Sequence, residues 1–292
     1  MQKYIEKARV LMEAMPYIQA FRGKTMIVKF GGSIMESETA MREVLQDVVF
    51  MKLIGIRPVL IHGGGPAISA GMKARGIPPR FVSGLRVTDS ETMELVEDIL
   101  AHKINAQIVT LLNDLQGEAV GVSGRDHQMI KVDKLMPEVE GEKIHIGRVG
   151  RVRYINTDLL REYLDRGRIP VIAPIGVGDD GLSYNINGDL AAGEIASSLG
   201  AWKLVYMTDT PGILREQGDE QTLISTINRD QAEELISKGV ISGGMIPKVQ
   251  SCLAALQFGV NKGHIIDGRI RHSLLLEIFT PKGIGTEILK NS

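Results

Sequence analysis

Apolar residues along this 292-residue chain alternate between two periods. Short β-rich runs at 26–30, 58–61, 169–173, 203–208 and 262–266 read as strands. Helical spacing marks 40–53, 66–75, 91–112, 159–166, 190–199, 229–238, 246–258 and 274–279. That alternation is the sequence form of βαβ units and predicts an α/β fold with an open, mainly parallel sheet. Two further strands are expected at 118–124 and 148–155, joined by a charged connection, 131–143, that carries a hairpin. No repeat, low-complexity tract or flexible linker interrupts the pattern, so two lobes on one continuous sheet are expected.

The first fifteen residues stand apart. Ile5, Ala8, Met12 and Met15 fall on one face of a helix, and Pro16 marks its end or a kink. Such a helix packs either on its own domain or against a second subunit.

Composition narrows the function. An apolar fraction of 43% and a charged fraction of 24% are those of a soluble globular protein, and the net charge of −1 offers no basic surface for nucleic acid. No apolar run approaches the roughly 20 residues that span a bilayer. The start has no signal-peptide core, and one cysteine, Cys252, fits a reducing cytoplasm. Cys252 lies in the apolar pattern of Val249, Leu253 and Leu256, which reads as a core thiol rather than a nucleophile.

Candidate chemistry begins at Lys29-Phe30-Gly31-Gly32-Ser33, where a lysine and two glycines close a strand. Glycines there let backbone N–H groups approach an anion, and the helical spacing from Met35 through Val49 supplies a helix N-terminus behind them. A plain strand-to-helix turn with a surface lysine is the alternative. His62-Gly63-Gly64-Gly65-Pro66 repeats the arrangement after the next strand, and open α/β sheets bind ligands outside the carboxyl ends of their strands. Neither turn is a P-loop. The glycines at 176, 178 and 181 match GxGxxG but precede β-type alternation rather than a helix, so dinucleotide binding is not expected.

Later motifs extend the set. Tyr184-Asn185-Ile186-Asn187-Gly188-Asp189 leads into a helix, with Asp189 at the position of an N-cap; its amides suit an acylamino or carboxylate ligand. Gly243-Gly244 opens another helix with Lys248 in its first turns, where a cation opposes the helix dipole unless an anion offsets it. Arg86, before Thr88-Asp89, is either a planar fork for a carboxylate or a solvated arginine. Thr208-Asp209-Thr210-Pro211-Gly212 forms a polar loop suited to a nucleotide's base and ribose.

Together with Gly84-Leu85-Arg86-Val87-Thr88-Asp89, Leu274-Leu275-Leu276-Glu277-Ile278-Phe279 and Gly283-Ile284-Gly285-Thr286, these motifs closely resemble the amino acid kinase family over nearly the whole chain. Within it they resemble the branch that phosphorylates the side-chain carboxylate of N-acetyl-L-glutamate. The resemblance implies a three-layer αβα sandwich with a regulatory helix (1–22), an N-terminal amino-acid lobe (23–176) and a C-terminal lobe for ATP with Mg²⁺ (177–292). It makes Lys29, Lys248 and Asp189 catalytic, places acetylglutamate on Gly64, Gly65, Arg86 and Asn185, and nucleotide on Gly31, Gly32, Thr208, Asp209 and Gly212. No protein side chain is assigned to the metal.

The N-terminal helix and residues 264–285 resemble the arginine-inhibited branch, which implies L-arginine as effector at Lys203, His264, Glu277 and Gly283, and dimers assembled into a hexamer. His264 reads equally as a satisfied core histidine. One departure is Gly188, where the family usually has alanine. Because the acceptor carboxylate is ionised at neutral pH, such a reaction needs no general base. Carbamate, glutamate 5- or uridylate kinase activity and a non-catalytic arginine-responsive protein are the competing readings.

Overall fold

The computed structural model describes residues 1–280 and 283–290, so the lobe expected at 177–292 ends outside the described residues. Strand β1 (Thr25–Phe30) shows why its sequence is apolar almost throughout: Met26, Val28 and Phe30 enter one core cluster while Ile27 enters another on the opposite face. A sheet covered on both faces demands this, and the period of two places Lys29 on the Ile27 side.

β1 lies at the centre of eight strands. The others, in chain order, are β2 (Arg57–His62), β3 (Ala119–Ser123), β4 (Ile169–Ala173), β5 (Lys203–Thr208), β6 (Thr226–Ile227), β7 (Lys262–Asp267) and β8 (Thr286–Ile288). Across the sheet the order is β6-β8-β7-β5-β1-β2-β4-β3, with every neighbouring pair parallel except β7 and β8. The helices Gly188–Leu199 and Met245–Gln257 cover one face, and Glu38–Leu53 and Asn105–Asp114 the other, giving a three-layer αβα sandwich. β2 leaves β1 on one side and β5 flanks it on the other, so the carboxyl end of β1 is a topological switch point, where such folds hold ligands. No helix is long and apolar enough to cross a membrane among the described residues.

Several local expectations are corrected. The stretch 131–143 is not only a hairpin: Ile130–Lys134 pairs with Gly150–Ile155 in a second, four-stranded sheet, burying Ile130 and Val132 by strict alternation. The hairpin is confined to Glu138–Val139 and Glu142–Lys143. The helix after Gly31-Gly32 is two helices, Ser33–Glu36 and Glu38–Leu53, because Ser37 caps the second by accepting a hydrogen bond from Ala40 N at 3.3 Å. The long helix expected at 91–112 contains a π-helical segment, Asp98–Ile104, between Ser90–Glu97 and Asn105–Asp114.

Pro16 does not end the first helix, which runs Gln2–Phe21 and buries none of its residues. The proline forgoes one hydrogen bond and crowds the carbonyl four residues back, a cost that this exposed helix carries without ending. Its last turns touch the body: Tyr17 meets Phe279 edge-on at 6.1 Å, and Phe21 packs on the core. Ile5, Met12 and Met15 face solvent, and among the described residues nothing packs over that stripe.

Cys252 is fully buried on the helix Met245–Gln257, and its Sγ occupies the place a side chain at Gly263 would take. Burial, with Asp189 nearby, pushes its thiol well above the ordinary range. A buried neutral thiol is inert. Ellman's reagent is therefore expected to leave the native protein unmodified and to titrate one thiol after guanidinium unfolding; reaction in the native state would contradict the packing.

Candidate active site

Three segments far apart in sequence meet at the carboxyl end of β1. Lys29 closes that strand, Asp189 lies in the first turn of Gly188–Leu199, and Lys248 lies in the first turns of Met245–Gln257. Lys29 Nζ is 2.7 Å from Asp189 Oδ1, and Lys248 Nζ donates to Asp189 Oδ2 at 2.7 Å. The carboxylate thus takes one lysine on each oxygen. Burial works against its charge, but Lys29 and Lys248 outweigh burial and hold its pKa below the usual carboxylate range.

The helix is capped two residues earlier than the sequence suggests. Asn187 is the N-cap, its Oδ1 accepting from Asp189 N at 2.9 Å and Leu190 N at 3.2 Å. That frees the Asp189 side chain for the lysines. Behind it, Tyr206 OH donates to Asp189 O at 2.7 Å, and Ser251 Oγ donates to the same carbonyl at 2.9 Å. Lys248 at a helix start is thereby matched by an anion, as the dipole argument requires.

The glycine turns fit each other. A side chain on Gly31 would lie 3.3 Å from Gly63 Cα, so the two turns approach backbone to backbone beside Lys29. Gly32 opens the helix Ser33–Glu36 at φ +59°. His62, which ends β2, is fully buried; its Nδ1 lies 2.8 Å from Gly63 O and its Nε2 3.2 Å from Asn105 Nδ2. Burial, with the Lys29 charge, lowers its pKa to about 4 although the Gly63 contact acts oppositely.

Two cavities flank the carboxylate. One of about 220 Å³ is lined by Lys29, Gly63, Gly64, Gly65, Phe81, Arg86, Asn185 and Asp189. The Arg86 guanidinium stacks 4.8 Å from the Phe81 ring centre and donates to Gly65 O at 3.0 Å and Ser69 Oγ at 2.8 Å. It is buried, not solvated, and burial lowers its pKa. Asn185 Nδ2 donates to Thr88 Oγ1 at 3.3 Å. The other cavity, about 500 Å³, is lined by Thr208, Asp209, Gly212, Gly244 and Lys248 among others. Gly212 has φ +146°, and a side chain there would meet Thr286 Oγ1 at 2.7 Å. Gly31 and Gly32 line neither cavity. At Gly188 a methyl group would make only ordinary contacts, 3.6 Å to Lys29 Cε and 3.7 Å to Pro174 Cγ.

Lys203, His264, Glu277 and Gly283 also come together, at the opposite end of the sheet. Lys203 Nζ donates to Glu277 Oε1 at 2.9 Å, His264 Nδ1 lies 2.7 Å from the same oxygen, and Ile284 N donates to Glu277 Oε2 at 2.9 Å. Despite burial, His264 and Lys203 hold the Glu277 pKa below the usual range. Gly283, at φ +61°, abuts that carboxylate. Glu287 joins the cluster, 3.4 Å from His264 Nε2 and 2.7 Å from Lys262 Nζ; His264 chiefly, then Lys262, takes its pKa to about 2 against burial. Phe21 covers Lys203, its ring centre 5.7 Å from Nζ.

Sequence reasoning singled out none of Glu287, Ser69, Phe81, Tyr206, Ser251 or Asn105. Asn105 alone left a signal, an amide on the buried stripe with Ile108 and Leu112. Among the described residues no group of three or more His, Cys, Asp or Glu could hold a metal ion.

The Amino acid kinase family profile matches residues 24–267. An acetylglutamate kinase of Heliobacterium modesticaldum is 52% identical over 295 residues, covering 99% of this chain and 100% of that one. The N-acetylglutamate synthase of Neisseria gonorrhoeae, solved with coenzyme A and N-acetyl-glutamate, is 29% identical with a TM-score of 0.84. The alignment covers 98% of this chain but 64% of that longer one. The same synthase solved with coenzyme A and L-arginine gives a TM-score of 0.81, with 98% and 66% covered.

The depressed His62 pKa makes stability depend on pH. An unfolded histidine takes up its proton near pH 6.5, whereas the folded ring stays neutral to about pH 4, so stability is complete above pH 6.5 and falls as pH drops through that window. Urea titrations of the wild type are expected to lose about 2 kcal/mol between pH 7 and pH 5 from this group. The loss should be absent from His62→Asn; an identical slope in that variant would refute the assignment.

Proposed function

We propose, because this chain belongs to the amino acid kinase family, that it transfers the γ-phosphoryl group of ATP to the side-chain carboxylate of N-acetyl-L-glutamate. The observation that carries this reading is the sharing of Asp189 by Lys29 and Lys248, with one cavity on the Lys29 side and the other at Lys248. A carboxylate oxygen of the acceptor attacks γ-phosphorus, the bond to the bridging oxygen breaks, an acyl phosphate forms and ADP leaves. No proton moves, so positioning and charge stabilisation are the whole task.

Each group then has a role. The smaller cavity takes the acceptor, with Arg86 and Asn185 for its backbone carboxylate and acylamino group and the Gly64 and Gly65 turn against the reacting end. The larger cavity takes the nucleotide, with Thr208, Asp209 and Gly212 along its wall and Gly31 and Gly32 toward the phosphates. Lys29 and Lys248 meet the charge that develops on the transferred group, while Asp189 keeps both ammonium groups aimed at one point. The lysine-flanked pocket suits a triphosphate, and Mg²⁺ held by the phosphates themselves would neutralise part of their charge.

The reading extends to control. The buried carboxylate of Glu277 and the half-buried one of Glu287, with Lys203, His264 and Gly283 beside the end of the first helix, offer an effector site for the guanidinium and ammonium groups of L-arginine, an amino acid that the related synthase also binds. The unpartnered stripe of the first helix suits association of dimers into a hexamer. An amino-acid biosynthetic role in the cytoplasm accompanies the activity.

ADP release with ATP and Mg²⁺ over a panel of N-acetylglutamate, glutamate, carbamate and UMP tests the reading directly. N-acetylglutamate should exceed the others by at least about a hundredfold in kcat/KM, and added L-arginine should inhibit; preference for another acceptor would displace the assignment. Lys248→Met should fold normally yet lose roughly 10²–10³ in kcat. Arg86→Ala should act mainly through a raised KM for the acceptor, since it removes binding common to ground and transition states. Wild-type turnover in the first variant, or an unchanged KM in the second, would overturn the corresponding role.

A further inference from the structure

We propose that His62 is a positioning residue for the transfer: its neutral ring ties down the Gly63 carbonyl and so turns the Gly64 N–H into the cleft, while Asn105 decides which ring nitrogen carries the proton. The inference rests on the kinase reading above. It begins from a buried network that the mechanism leaves unused, on a histidine and an asparagine that are 0% and 4% exposed.

The hydrogen bonds leave one tautomer. A carbonyl oxygen only accepts, so His62 Nδ1, 2.8 Å from Gly63 O, carries a proton. Asn105 Nδ2 also donates to Val171 O at 2.9 Å, which fixes that atom as the amide nitrogen; His62 Nε2, 3.2 Å away, must therefore accept. Lys29, on the neighbouring strand, lies close enough for its like charge to oppose an imidazolium.

Peptide geometry carries the effect to the cleft. The unit joining Gly63 and Gly64 is planar and trans, so its carbonyl and its N–H point in opposite directions. With the carbonyl held against the buried ring, the Gly64 N–H faces away from it, toward the cavity shared by Lys29 and Asp189. The helix Gly65–Ala74 begins one residue later, so this donor has no intrahelical partner. A fixed donor at that point stabilises charge as it develops, without reorganisation.

The π-helical segment explains how Asn105 reaches the ring. Such wide turns are rare and cluster at functional sites. This one, Asp98–Ile104, ends where Asn105 begins the next helix, and it seats Leu100 and Ile104 against the spot a Gly64 side chain would fill. The same turn therefore supports the glycine loop from below and delivers the amide that sets the tautomer.

The test exploits amide mimicry: an asparagine side chain can place its NH₂ near the position of histidine Nδ1, whereas glutamine places it near Nε2. Steady-state kinetics of the full-length protein with ATP, Mg²⁺ and N-acetylglutamate should show His62→Asn within about tenfold of wild-type kcat, and His62→Gln down by roughly 10²–10³. KM values should move little, because the donor acts on the transition state. Equal losses in the two variants, or a loss carried by KM, would overturn the proposal. Independently of whether the variants fold, ¹⁵N NMR of the wild-type imidazole near pH 7 should report the Nδ1–H tautomer; the Nε2–H form or an imidazolium would also overturn it. Failure of the wild type to release ADP would instead remove the kinase reading, and the two failures are distinguishable because the ring is read without substrate.

Discussion

The shared carboxylate at Asp189 is the constraint around which the rest is arranged. Two ammonium groups brought to one point repel each other, and in a partly dehydrated cleft that repulsion is weakly screened. Asp189, with a lysine on each oxygen, offsets it. To bring these groups together the fold must bring together the exit of β1 and the starts of two helices, Gly188–Leu199 and Met245–Gln257. The cap on Asn187 and the hydroxyls of Tyr206 and Ser251 hold the Asp189 backbone, so the ion pairs rest on a fixed base.

The sheet gives the molecule two poles. β5 begins with Lys203 in the Glu277 cluster and ends with Thr208 at the larger cavity, while Lys29 pairs with Tyr206 within the same sheet. Both poles use one device, lysines against a buried carboxylate that is held ionised despite desolvation. They differ in what lies beside it: glycine turns and cavities at one, the end of the first helix at the other.

Strands and helices along most of the chain were legible because a sheet covered on both faces writes itself as apolar runs between amphipathic stretches. The glycine turns were legible because two backbones in close approach crowd a side chain, as Gly31 and Gly63 demonstrate. What stayed hidden depends on tertiary partners. Asn187 rather than Asp189 caps the helix, a choice made by the lysines and not by local propensity, since either residue is a good cap. Tyr206 and Ser251 look like ordinary core and helix residues until Asp189 O is placed between them. The π turn has no local signature, because the pattern before and after it is helical; only the amide of Asn105 on an apolar stripe hints that a polar partner waits across the interface.

Gly188 leaves mutational headroom in this chain. The first residue of a central helix has been given the greatest backbone freedom of any amino acid, although its surroundings would accept a methyl at normal van der Waals distance. Filling such a position ordinarily raises stability by about 0.4–1 kcal/mol through the unfolded state. The vacant space borders Lys29 Cε, so the natural sequence leaves slack beside a charged group of the cleft, and a more rigid descendant lies one codon away.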